Sequence, residues 1–165
     1  MTAIQSFLFT SCAFAALFVM LVSVHELGHA AVALLYGRRL YSIRILGAEL
    51  RFRKRRGKRG KYATSLHILP YVAGDHGDVR AESSPSRRED IVFSLAGIVC
   101  EAALIGTLWN RVVWSTADQN QAWYRALIIS VVVAAVIALE SVHRGGDLYF
   151  VLRAFRPKRR PRRRA

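Results

Sequence analysis

His25 and His29 stand four residues apart in the run His25-Glu26-Leu27-Gly28-His29. On a helix that spacing puts both imidazoles on one face, a turn from each other, where one metal ion can take both. Glu26 projects near enough to that face to take a proton from a water on the metal. The surrounding run, Phe14 to Tyr36, is almost wholly apolar, and the next charged residue is Arg38. Three ionisable side chains in such a setting are costly, and within a membrane segment they mark a functional site.

A metal bound for catalysis takes three protein ligands and leaves one position open. The third ligand has to come from elsewhere in the chain. Asp147 is the first acid after the last apolar run, with His143 and Glu140 as competitors. Glu101 is a further carboxylate, about ten residues inside a second apolar run beside Gly97. At that depth it is protonated, paired or turned to a polar interior. His67, Asp75, His76 and Asp78 share no helix or fixed spacing and read as solvated loop side chains.

The elements that must position these groups follow from composition. The 165 residues correspond to one domain by length, are 53% hydrophobic, and carry a formal charge of +14. Apolar and basic residues are segregated. Ile4 to Tyr36, Ile91 to Trp114 and Trp123 to Val142 are each apolar enough to cross a bilayer. A soluble helical core would need amphipathic helices, and Val131 to Leu139 has no polar face. The expected fold is therefore a mainly α membrane protein with about three transmembrane helices, near 4–36, 86–114 and 122–143. Residues 1–152 form the membrane-embedded domain and 153–165 a basic cytoplasmic tail. Met1 to Ser6 lacks Lys and Arg and the apolar run continues into the metal motif, so the first run is expected to be retained and not cleaved as a signal peptide. Cys12 and Cys100 both fall in apolar runs and read as buried thiols.

Charge predicts the topology. Residues 38–61 carry eleven Lys or Arg against Glu49 alone, and residues 153–164 carry eight more. Residues 115–122 carry only Asp118. By the positive-inside rule the first loop and the C-terminus are cytoplasmic and the N-terminus is outside, in an integral membrane protein expected in the plasma membrane. From Phe7 to His25 the first helix rises about 27 Å, which places the metal motif near the cytoplasmic boundary. Gly28, Ala30, Ala31 and Ala33 are small enough to admit a second helix closely.

Between the first two helices the period changes to two. Ile43 and Ile45 alternate with polar residues, then Leu50 and Phe52 do so with shifted parity across Gly47, and Tyr62, Thr64, Leu66 and Ile68 form another alternating run. A small cytoplasmic-side β-hairpin or sheet over about 41–73 is expected. Its basic turn, Arg53 to Lys61, favours anionic headgroups. The loop has no recognisable nucleic-acid-binding fold, so nucleic acid is not the expected partner. Asp75 to Asp90 reads as a polar linker, and Ser86-x-x-Glu89 as a capping box opening the second helix.

These features together resemble the site-2 protease family of intramembrane zinc metalloproteases. Four match in order over most of residues 20–150: His25 to His29 in an early helix, a strand region ending in Pro-x-x-x-Gly at Pro70, Ala96-Gly97 in a later helix, and Asp147 after a further span. The family normally has Asn and Pro before its ligand Asp and Gly after it; here Glu140, His143 and Leu148 stand there. Its Ala-Gly pair is usually followed by Pro and Asn, where this chain has Ile98 and Glu101. The resemblance implies Zn2+ on His25, His29 and Asp147, with Glu26 taking a proton from the bound water and passing it to the leaving amide nitrogen. It also implies a substrate or oxyanion region around Gly97 and Glu101, and as substrate a membrane-spanning protein cut near the cytoplasmic face. The substrate helix must unwind there, because its backbone groups are already hydrogen-bonded. An edge strand from residues 42–69 could hold the unwound segment. The alternatives are an inactive relative acting as a membrane scaffold or regulator, and a metal-handling transporter, for which three spans are few.

Overall fold

A computed structural model of the protein describes residues 2–54, 62–69, 77–84, 86–113, 121–144 and 147–155. The first apolar run is one helix, α1 (Ala3–Leu35), opened by Thr2 and Gln5 in a reciprocal capping box. The second and third runs form α2 (Arg87–Val113) and α3 (Gln121–Arg144), and a short amphipathic helix, α4 (Asp147–Phe155), follows. The three long helices lie within one or two residues of the expected limits. Two of them, α1 and α2, are long and apolar enough to cross a membrane; α3 carries a shorter apolar stretch, Trp123–Ile137. The fold is thus mostly helical, with two long apolar helices and a small antiparallel sheet between them. α4 was not anticipated from the sequence.

The helices pack through small residues. A Cβ on Gly28 would lie 2.8 Å from the Ala96 carbonyl oxygen and 3.0 Å from Cys100 Sγ, so α1 and α2 meet almost backbone to backbone. α3 runs in the same direction as α1 and buries Ala126 and Leu127 against Ala13 and Leu17. Near the start of both helices Phe9 meets Trp123 edge-on, and Trp109 at the far end of α2 stacks at a tilt on Tyr124.

The sheet is four-stranded in the order β3-β2-β1-β4, with β1 (Leu40–Ile45), β2 (Ala48–Lys54), β3 (Tyr62–Ile68) and β4 (Gly77–Ala81) all antiparallel. Leu46 and Gly47, both at positive φ, make the two-residue turn between β1 and β2 at the expected change of parity. The register aligns Val79, Ile43, Leu50 and Leu66 across one face and Asp78, Arg44, Glu49 and His67 across the other. The polar face is knit by ion pairs, Arg51 to Glu49 at 2.6 Å and Arg80 to Asp78 at 2.9 Å.

Two expectations are corrected here. The sheet does not end near residue 73: β4 lies in the stretch read as a polar linker, because Val79 alone supplies its apolar signal while its backbone pairs fully with β1. Asp78 is accordingly a strand residue, and His67 lies on β3 with Nε2 3.0 Å from the Ser65 hydroxyl. At the start of α2, Glu89 accepts a hydrogen bond from Ser84 at 2.6 Å. That partner lies two residues before the expected capping serine. Asp75, His76, Pro70 and residues 55–61 of the basic turn lie outside the described residues.

Candidate metal centre

His25 and His29 sit on the α1 face turned to α2, as their spacing requires. Their Nε2 atoms are 3.2 Å apart. Asp147, in the first turn of α4, brings Oδ2 to 3.0 Å from His25 Nε2 and 2.9 Å from His29 Nε2. Two helices distant in sequence thus place three ligand atoms in one small triangle.

The opposite ring nitrogens decide what that triangle is. His29 Nδ1 is 2.6 Å from the carbonyl oxygen of Phe93, which can only accept, so Nδ1 carries the proton. His25 Nδ1 is 3.1 Å from Glu101 Oε2, and with Glu101 ionised it is the donor of that pair. In the neutral rings both Nε2 atoms then present lone pairs, to each other and to a carboxylate oxygen. Three acceptors so arranged could hold a metal ion. Tetrahedral coordination with bonds of about 2.0–2.2 Å separates neighbouring ligand atoms by roughly 3.3–3.6 Å, and the three atoms here, 2.9, 3.0 and 3.2 Å apart, lie somewhat inside that spacing.

Space for the ion is set by a missing side chain. A Cβ on Gly97 would lie 2.5 Å from His29 Nε2 and 2.7 Å from His25 Nε2, so any other residue there would press on both ligand nitrogens. The donor set, two imidazoles and one carboxylate, suits zinc with an open position.

Glu26 is buried and does not join the triangle. It lines a cleft of about 770 Å³ together with His29, Asp147 and the strand β4. Gly77, the first residue of β4, lies against the Glu26 carboxylate. Arg38, just beyond α1, closes the same cleft. Its guanidinium holds Asp90 at 2.6 Å and lies 5.3 Å from the Phe93 ring centroid, behind the carbonyl that orients His29.

Of the residues singled out in the sequence, His25, His29 and Asp147 converge, Glu26 lies beside them, Gly97 lies against the two Nε2 atoms, and Glu101 lies behind the His25 ring. The side chains of His143 and Glu140 lie outside the described residues. Gly77, Arg38 and the Phe93 carbonyl were not singled out. A glycine in a polar stretch, a lone basic residue and a backbone oxygen carry no spacing signal.

The profile of peptidase family M50 matches residues 13–144, which takes in α1, the sheet, α2 and α3. No curated protein and no solved structure matches the chain. With the match covering most of its length, the chain belongs to peptidase family M50, the site-2 protease family of membrane metalloproteases.

Proposed function

We propose that the protein is an intramembrane zinc metallopeptidase that hydrolyses a peptide bond of a membrane-spanning protein near the cytoplasmic face. The observation that carries this reading is the convergence of His25 Nε2, His29 Nε2 and Asp147 Oδ2, with Glu26 in the adjoining cleft. Zinc held by these three residues would acidify a water and polarise the scissile carbonyl. Glu26 takes the proton of the attacking water and returns it to the leaving nitrogen. Burial of Glu26 and His29 keeps bulk water from competing for those groups.

Among the described strands the edge that borders the cleft is β4, beyond the 42–69 region expected to supply it; β1 and β2 are interior and β3 lies at the far edge. An unwound substrate segment pairs along β4, where main-chain hydrogen bonds hold it extended past Glu26.

One membrane-embedded domain, with α3 as a third span, runs through α4 to Phe155, past the expected limit at 152, and a basic cytoplasmic tail follows. Support comes from α3 lying along α1, and from the aromatic pairs of Phe9 with Trp123 and Trp109 with Tyr124 at one end of the bundle, as at a membrane interface. Phe9 to His25 is about 24 Å of helix, so the site lies near the opposite interface. The basic residues around the sheet support a cytoplasmic side for that end, at a plasma membrane with anionic inner-leaflet lipid.

The test is zinc content and cleavage of a membrane-spanning peptide by the purified protein in vesicles. One zinc per chain, with cleavage abolished by a chelator and restored by zinc, supports the reading. One zinc without cleavage of any membrane peptide favours the inactive scaffold.

A further inference from the structure

We infer that Glu101 is a positioning residue for the ligand His25, an outer carboxylate that fixes the ring's tautomer and plane; this rests on the zinc reading above. Its Oε2 lies 3.1 Å from His25 Nδ1, while His25 Nε2 faces Asp147 on the opposite side of the ring.

The backbone explains how a glutamate in mid-span reaches a histidine on another helix. Glu101 follows Gly97 by four residues, so both lie on the α2 face turned to α1. The small residues at Gly28 and Ala96 bring the two helices into near contact there. Gly97 leaves room for the ion under the imidazoles, and one turn on, Glu101 extends along the back of His25. Both side chains are only about one fifth exposed. A carboxylate left unpaired at that depth is costly. The His25 N–H offsets this, and in return the carboxylate holds the ring with its Nε2 lone pair toward Asp147 and raises the basicity of that nitrogen.

The two histidines are served differently. His29 Nδ1 donates to a neutral backbone carbonyl and His25 Nδ1 to a carboxylate. Glu101 therefore tunes one ligand only. It also stands where an amide would face the substrate in relatives, so the rival is a direct substrate or oxyanion role.

The two roles separate in the full-length protein in detergent, by zinc affinity from chelator competition, the visible spectrum of the cobalt form, and steady-state cleavage. Glu101→Ala should weaken zinc binding by about 10–100-fold. Glu101→Gln, whose amide oxygen still accepts from Nδ1, should show a smaller loss and a shifted cobalt spectrum. Wild-type affinity and spectrum in Glu101→Gln, with KM for the peptide raised, would overturn the inference and assign Glu101 to substrate, whether or not the alanine variant folds. Wild-type affinity in a folded Glu101→Ala would overturn it as well. If wild-type protein takes up no zinc, the metal reading itself fails and this inference with it; zinc uptake indifferent to Glu101 sinks the inference alone.

Discussion

Gly77 lies so close to Glu26 that a single methyl group on it would overlap the carboxylate. The contact joins the first residue of the cleft-side edge strand to the acid beside the ligands.

The first prediction follows from that contact. Gly77→Ala should push the Glu26 carboxylate aside while leaving His25, His29 and Asp147 untouched. Cleavage should fall at least about tenfold, since misplacing a general base by about an ångström has that order of effect. Zinc content should stay at the wild-type value. Zinc loss in Gly77→Ala would place β4 within the metal-binding frame.

Gly97→Ala should behave in the opposite way. Its Cβ would fall 2.5–2.7 Å from both ligand nitrogens and press on them. Zinc content of the purified variant should drop sharply, with the helical content by circular dichroism unchanged. Full zinc occupancy would mean that α2 approaches α1 less closely than the structure has it.

These two glycines show where the sequence was legible and where it was not. The histidine pair announced itself because the helix repeat puts residues four apart on one face, and Asp147 because the charge pattern brought the ends of α1 and α3 to one side. Gly97 was noted only as part of a motif. Its role depends on a side chain that is absent, and absence has no periodicity. Strand β4 was hidden because Val79 alone gives it a core signal, whereas β1 and β2 each carry paired apolar residues around a turn. α4 was hidden because two glycines, Gly145 and Gly146, precede it in the sequence and basic residues from Arg153 onward close it.

Arg38 supports His29 at one remove. Its side chain is 7% exposed, holds Asp90 and covers the Phe93 ring, and Phe93 supplies the carbonyl that fixes the His29 tautomer. Arg38→Ala should destabilise the protein by about 1.5–3 kcal/mol, the range for a hydrogen bond made by a charged group. Asp90→Asn should be milder, because Asp90 is 59% exposed. Chemical denaturation in detergent reads both, and equal effects would argue against Arg38 as the anchor.

The choice of third ligand is open to a direct comparison. Asp147→Ala should lower zinc affinity strongly, whereas His143→Ala and Glu140→Ala should leave it near wild type. Retained zinc in Asp147→Ala, with loss in either of the others, would move the third ligand into α3. Full occupancy in all three would remove the three-ligand centre altogether.

Glu26→Gln tests the central claim most directly, because the amide keeps the size of the side chain and cannot take a proton. Zinc content and cleavage of a membrane-spanning peptide are measured side by side in reconstituted vesicles. The account predicts one zinc per chain in both wild type and variant, with cleavage in the wild type alone. Cleavage by the variant at the wild-type rate, or loss of its zinc together with its activity, would contradict the assignment of Glu26 as the base beside a His25, His29 and Asp147 metal centre.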